Sequence, residues 1–515
     1  MTTTSGGYVT DVAYVAEFYG DHAPAHLNQI AAAGGFRPRP LDGAFTWCDY
    51  GCGNGITANI LAGCFPVAQF YGVDFLPEHV RTAEVLAARG GLENAKFIRK
   101  GFAELTDGDL PPLDFAVMHG VLSWIDEKNR NAVLDDAAKR LKPGGILLTG
   151  CNAMPGWAAK IPLRNMIYSL SADDVATVER ARTGLAWMQR LKNAQVKFFR
   201  DNPALADAVD QMAALDPRYM AHEYFNQHLR AFYYAELAAL MAPRGLKFAG
   251  SATTFLNMVD LAVPQDLYDE FRTVTSRAEL EAKRDFVRNE TFRRDVWVKG
   301  EPIKTEEEWM EIHLPLIFGT LVPLKDIDRE VAFGDIQIAY TGDPFDSMLS
   351  SVATQALSIA SMDDDPALNA IAASTRVEAA RLLAAGGQVI SFARETVAAK
   401  MGADTKLSIP PVNRGMIKEL GMRLPKVPLA AVHAGTGIEL PNIDAILLLA
   451  LVDKGRGQAV KSAHKVLSSE AGDFVIGGKT LGKADVEKLL TDRLAILTRD
   501  LLPKLVEIGV VSVES

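Results

Sequence analysis

Asp49-Tyr50-Gly51-Cys52-Gly53-Asn54-Gly55 is the stretch with the most chemistry in it, and Tyr71-Gly72-Val73-Asp74-Phe75 follows. Glycines at alternate positions let the backbone take positive φ and bring N–H groups close to a ligand. An acid roughly two dozen residues after such a turn, closing a second apolar run, is placed to accept hydrogen bonds from ribose hydroxyls. The two segments read as a strand, a glycine turn, a helix and a strand ending in an acid. That is a recipe for holding a nucleoside-bearing cofactor. The spacing Asp-x-Gly-x-Gly-x-Gly is not the G-x-G-x-x-G of dinucleotide enzymes.

These residues need a scaffold. Residues 45–49, 69–74, 95–99, 114–118 and 145–150 are short apolar runs bounded by Gly, Pro or Asp, with helical patterns between them, as at 77–88 and 129–141. Such alternation predicts an α/β fold with a parallel sheet and right-handed crossovers. Lys142-Pro143-Gly144-Gly145 reads as a turn feeding the fifth strand. After Gly150 the rhythm breaks. Residues 156–229 read as a helical insertion, and 230–300 resume the core with a strand at 246–250 and a last one at 293–299. An insertion at that point lies over the carboxyl ends of the strands, where ligands bind. Residues 1–40 form an N-terminal extension carrying Tyr8, Tyr14, Phe18 and Tyr19. Residues 301–435 read as a middle α+β domain with a helix over 366–384, and 436–515 as a C-terminal winged-helix-like domain. The core itself spans 41–155 and 230–300.

The chain has 515 residues, enough for several domains. Its formal net charge of −10 argues against sequence-independent binding of nucleic acid, which rests on Lys and Arg neutralising phosphates. Winged helices often bind DNA, but the acids of this one make protein interaction the expected use. The four cysteines, Cys48, Cys52, Cys64 and Cys151, show no CxxC spacing and no histidine cluster accompanies them, so no metal is expected. Met1 to Gly7 lacks the basic and apolar regions of a signal peptide, and the apolar run 445–452 is too short to span a bilayer. A cytoplasmic protein without membrane insertion is expected.

The glycine-turn spacing resembles that of class I methyltransferases, whose cofactor is S-adenosylmethionine. A narrower resemblance rests on Gly72-Val73-Asp74-Phe75 with Pro77-Glu78-His79, His119-Gly120-Val121-Leu122-Ser123-Trp124-Ile125, Asn152 to Trp157 with Pro162-Leu163-Arg164, His222-Glu223-Tyr224, Arg288 and Phe292-Arg293. These residues are similar to those of bacterial methyltransferases carrying a methyltransferase regulatory domain, a group that includes rickettsial outer-membrane-protein lysine methyltransferases. The resemblance covers residues 5–300; beyond that it rests on layout. Cys151 departs from the group, where Tyr precedes the Asn.

The resemblance implies a Rossmann-like domain with a seven-stranded sheet, and roles for particular residues. Asp49, Gly51, Gly53 and Gly55 form the cofactor loop, with Asp49 orienting the amino-acid end. Asp74 takes the ribose and Phe75 lies against adenine. Phe102 stands where an acid often contacts adenine, so stacking and backbone at Phe102 and Ala103 replace it. Tyr14, His119 and Gly120 complete the cofactor set. His119, Trp124, Asn152 and Trp157 are the catalytic candidates, His119 shaping the pocket or acting as a base. The loop at Asn152 differs from the Asn-Pro-Pro-Tyr type used on DNA adenine and glutamine amides.

Protein lysine N-methylation by direct in-line transfer is the activity the resemblance implies, with a protein partner and a possible homodimer through the insertion. Composition and spacing alone give methyl transfer. A small-molecule N- or O-methyltransferase and an inactive cofactor-binding scaffold are the alternatives.

Overall fold

The structure, a computed structural model, describes residues 4–5, 7–12, 16–170, 175–398, 401–402, 405–470, 475–476, 479–480 and 482–514. At its centre are β1 (Thr46–Tyr50), β2 (Gln69–Asp74), β3 (Ala95–Arg99), β4 (Leu113–His119), β5 (Leu141–Asn152), β6 (Lys247–Ser251) and β7 (Phe292–Val298). Among the described residues they make a seven-stranded sheet of order β3-β2-β1-β4-β5-β7-β6. The first five are parallel, and β7 runs antiparallel to both its neighbours. Strand order reverses at β1, where Asp49 stands opposite Gly72 on one side and Val117 on the other. The carboxyl ends of β1, β2 and β4 therefore open into the crevice where doubly wound sheets bind ligands.

Local chemistry starts the helices. α1 (Pro24–Ala33) and α3 (Pro77–Arg89) begin with proline, whose missing N–H costs nothing in the first turn. α2 (Ile56–Cys64) starts directly after Gly55, which holds φ +68°. α4 (Glu127–Arg140) is capped by Asp126, which accepts the Asn129 amide at 2.7 Å.

One sequence expectation needs correction. Lys142–Gly145 is not a turn ahead of the fifth strand but a bulge inside it. Leu141 pairs with Leu113 and Ile146 with Phe115, so the four residues between them bow out, with Gly144 at φ +76° and its amide donating to Lys299 O. A positive-φ glycine is what lets a strand kink there.

The insertion is helical as expected: α5 (Lys160–Ser169), α6 (Thr177–Asn193), α7 (Lys197–Asp201), α8 (Pro203–Ala213) and α9 (Pro217–Phe225). It has its own core of Leu163, Ile167, Met188, Val209 and Phe225, joined by Val9. The N-terminal segment is stitched to α9: the Val9 amide donates to Asn226 Oδ1 at 2.9 Å, and His222 Nε2 lies 2.9 Å from Val12 O.

In the middle region Ile317–Gly319 is flanked by Leu357–Ser358 and Ile390–Phe392 in an antiparallel sheet. The helix expected over 366–384 starts only at Ala373. Asp365 accepts the Ala367 amide at 2.8 Å and turns the chain first. The boundary expected at 435/436 falls inside a hairpin, Lys426–Ala431 with Thr436–Pro441. Helices Asn442–Lys454, Arg456–Glu470 and Lys483–Ile496 follow. A continuous apolar core runs from Leu27 on α1, Ile60 on α2 and Phe115 on β4 into Leu429, Leu447 and Leu490 of this region. The join is close: a Cβ on Gly415 of helix Pro411–Leu420 would lie 2.7 Å from the carbonyl oxygen of Arg89.

Candidate active site

A cavity of about 510 Å³ lies at the carboxyl ends of β1, β2 and β4. The glycine turn is its floor. Gly51 (φ +89°) amide donates to Val73 O at 2.7 Å, which ties the turn to β2. Asp74 closes β2 and is almost fully used: its Oδ2 accepts the Gly53 amide at 3.0 Å and lies 3.2 Å from His79 Nδ1, and its Oδ1 accepts the Leu76 amide at 2.9 Å.

Space in the turn is allocated tightly. A Cβ on Gly51 would lie 2.5 Å from Val121 Cγ2, and one on Gly55 would lie 2.4 Å from Ala83 Cβ. A Cβ on Gly53, at φ +52°, meets no protein atom within 4 Å, so that face of the turn is left to the cavity. Asp49 also lines it. Burial first, then Asp74, pushes its carboxyl up to about 8, and among the described residues no donor or cation is bonded to it. A buried acid without a partner fits a ligand that brings a positive charge.

The sequence candidates divide clearly. Asp49, Gly51, Gly53, Gly55, Asp74, Phe75, Phe102, His119, Gly120 and Trp124 all line the one cavity. Ala103 does not; it sits exposed in the turn Phe102–Glu104. Asn152 and Trp157 also lie outside the lining. Pairing of β5 with β7 continues as far as Asn152 opposite Phe292, which fixes Asn152 in the sheet. Its backbone N–H donates to Ser123 Oγ at 2.8 Å and its backbone carbonyl accepts the Phe232 N–H. Trp157 packs against Tyr224, ring centroids 6.3 Å apart, with Lys160 over its face. Tyr14 lies outside the described residues.

His119 closes β4 in an aromatic cluster: its ring lies 4.4 Å from Tyr19, 5.1 Å from His22 and 5.2 Å from Phe292. Burial lowers His119 to about 4 and His22 to about 3, so both imidazoles are neutral at pH 7. Neither ring nitrogen of His22 has a hydrogen-bond partner among the described residues. Asp21 lies beside them, 3.2 Å from Arg294.

Sequence reasoning left out the roof. Tyr8, Glu17, Tyr19 and Glu223 line the cavity from the N-terminal segment and α9. Tyr8 meets Phe75 edge-on at 5.5 Å, and the Tyr19 hydroxyl donates to Glu17 at 2.8 Å. The aromatic clustering before residue 20 and the His222-Glu223-Tyr224 run were visible signals, but nothing local said that the two would meet over the turn.

Comparison with known proteins agrees with the geometry. A methyltransferase domain model matches residues 48–147, and a model described as a predicted methyltransferase regulatory domain matches 216–299. An uncharacterised protein of Synechocystis is 29% identical over 515 residues, covering 99% of this chain and all of that protein. The trans-aconitate 2-methyltransferase of Azoarcus is 29% identical over 108 residues, 21% of this chain and 39% of that enzyme. The solved structure of PKMT2 from Rickettsia typhi in complex with AdoHcy superposes with a TM-score of 0.71 at 16% identity, over 96% of this chain and 98% of that one, a likeness of fold. The glycine cradle, the lone Asp49 and the acid-terminated second strand suit a sulfonium nucleoside; the chain is an S-adenosylmethionine-dependent methyltransferase, with residues 216–299 similar to the methyltransferase regulatory domain.

Proposed function

We propose that this enzyme methylates the Nε of lysine side chains in a protein substrate. The observation that carries the reading is the character of the cavity: Glu17, Asp49, Asp74 and Glu223 line it together with Tyr8, Tyr19 and Trp124. Carboxylates draw in a cationic side chain, and aromatic faces hold an ammonium group by cation–π attraction worth about 0.5–2 kcal/mol.

When bound, S-adenosylmethionine supplies an electrophilic methyl group on a sulfonium. In this reading Asp49 would hold a cationic part of that molecule, Asp74 would take the ribose hydroxyls, and Phe75 and Phe102 would enclose the base. The amine must reach the methyl carbon neutral, although free lysine has a pKa of about 10.4. Transfer into an aromatic pocket favours the neutral form by desolvation. His119 and Tyr19 then shape the far wall, and the neutral His119 ring offers the amine no competing positive charge. Positioning of this kind accounts for about 7–11 kcal/mol of barrier reduction in favourable cases. Resemblance in fold to a rickettsial PKMT2 supports the same acceptor class. The insertion exposes Met166 (39%) and Trp187 (41%), and a homodimer contact through them belongs to this reading.

Incubation with deuterated-methyl cofactor and a cell lysate, followed by mass spectrometry, tests the acceptor. Heavy methyl groups on lysine Nε are expected. Label found only in a small-molecule extract would replace this reading with a small-molecule methyltransferase.

A further inference from the structure

Six carboxyl groups line the cavity and invite the question of which one meets the acceptor amine; Glu104 accepts the Gly101 amide at 2.9 Å, and Asp126 is spent capping α4 through the Asn129 amide. Asp74 is occupied by the Gly53 and Leu76 amides and by His79. Asp49 stands at the head of the glycine turn, on the floor. Glu17 accepts the Tyr19 hydroxyl. Glu223 remains. It lines the cavity from α9, and among the described residues nothing donates a hydrogen bond to it.

Its surroundings are those of an ammonium receptor. Tyr219 and Tyr224 on its own helix and Tyr8 on the N-terminal strand lie close enough to feel its charge. Tyr219 also feels Glu17, and Tyr8, which lines the cavity with Glu223, also feels Asp74. One cation faces it, Lys160 on α5, which is drawn over the Trp157 ring. His222, the preceding residue on α9, is held neutral by burial, at about 4. Burial outweighs Lys160 and holds the Glu223 carboxyl up at about 8. A proton acceptor works best with a pKa near the operating pH, and the arrival of a cation draws such a group into its ionised form.

We propose that Glu223 receives the incoming lysine ammonium and takes its proton, delivering a neutral amine to the methyl group. One N–H bond of the ammonium breaks and its electron pair stays on nitrogen. An O–H bond forms on the carboxylate, and the proton leaves to solvent through the cavity mouth before the next round. The inference rests on the lysine reading and names the residue that enforces it. It also gives the insertion a chemical task, since α9 supplies the group that the Rossmann-like core lacks.

The experiment assays the full-length enzyme and its Glu223→Gln and Glu223→Asp variants on single-lysine peptides between about pH 6.5 and 9.5, with AdoHcy affinity measured alongside by calorimetry. Glu223→Gln should lose about 10²-fold or more in kcat/KM at neutral pH. The deficit should shrink as pH rises and the amine deprotonates in solution, while AdoHcy affinity stays unchanged. Glu223→Asp should retain part of the activity with the wild-type pH profile. An unchanged rate in Glu223→Gln, a loss equal at every pH, or weakened AdoHcy binding overturns the assignment and leaves lysine methylation standing. Absence of transfer to any lysine peptide by the wild-type enzyme overturns both.

Discussion

The Gly53 amide donates to Asp74 Oδ2 at 3.0 Å, which welds the glycine turn to the acid that closes the neighbouring strand. Leu76 and His79 complete the clasp from the other side. The shape of the turn and the position of the acid are thus one property, and a change to either disturbs both.

Asp74→Ala leaves the Gly53 and Leu76 amides without their acceptor. Loss of such a partner costs about 1–3 kcal/mol in a buried setting. Thermal unfolding should show that loss, and calorimetry should show AdoHcy affinity down by at least about tenfold. Wild-type affinity in this variant would remove Asp74 from the ribose site.

Under the proposed function, Asp49 gives cofactor binding a pH dependence of known sign. Its carboxyl is raised to about 8, so the ligand-free protein carries a proton there that the unfolded chain has already lost at about pH 4. Stability of the ligand-free enzyme therefore falls as pH rises through that window, and Glu223 adds to the same slope. A cationic ligand needs the carboxylate. Affinity for S-adenosylmethionine should climb between pH 6 and about 8 and then level off. Titration calorimetry of Asp49→Asn should show weak binding without that climb.

The buried imidazoles act at the other end of the scale. His22 and His119 sit at about 3 and about 4, below the ordinary value of 6.5. Their contribution is fully present above pH 6.5 and is lost as pH falls toward the lowered values, because the unfolded chain binds the protons first. Melting temperature should drop on acidification from neutral to about pH 5, and His22→Phe, which keeps a ring stacked on Tyr19, should flatten the drop.

Gly51→Ala forces a side chain into φ +89° and into Val121 Cγ2 at 2.5 Å. The backbone strain alone costs about 1–3 kcal/mol. Adding Val121→Ala should relieve the collision but not the backbone, so chemical denaturation of the double variant should recover only part of the loss.

What the sequence disclosed follows from how far each signal reaches. The strand ending at Tyr50, the turn through Gly55 and Asp74 are written within thirty or so residues, roughly the span of one βαβ unit, and period and glycine spacing identify them. Trp124 and His119 came with the fourth strand for the same reason. Tyr19 and Glu223 lie about two hundred residues apart and line one cavity only because the insertion folds back over the sheet; no periodicity encodes that arrangement. Asn152 and Trp157 fall outside the cavity lining by the opposite effect. Their local loop looked like a ligand-facing segment, but pairing with a strand from Phe292–Val298 fixed Asn152 in the sheet, and Trp157 packs with Tyr224. Pro143-Gly144-Gly145 spells a reversal, and the ladder on both sides absorbed it as a bulge.

Gly437 approaches Phe18 and Ile60 so nearly that a Cβ there would lie 2.7 Å from one and 2.9 Å from the other, and the Cys64 thiol donates to Thr436 O at 3.2 Å. Phe18 is the immediate neighbour of Tyr19, and Ile60 belongs to the helix that the cofactor turn starts. Shortening the gene to its first three hundred codons would strip the backing from both and bare an oily seam. Whoever wants a smaller catalyst from this chain must first resurface that seam.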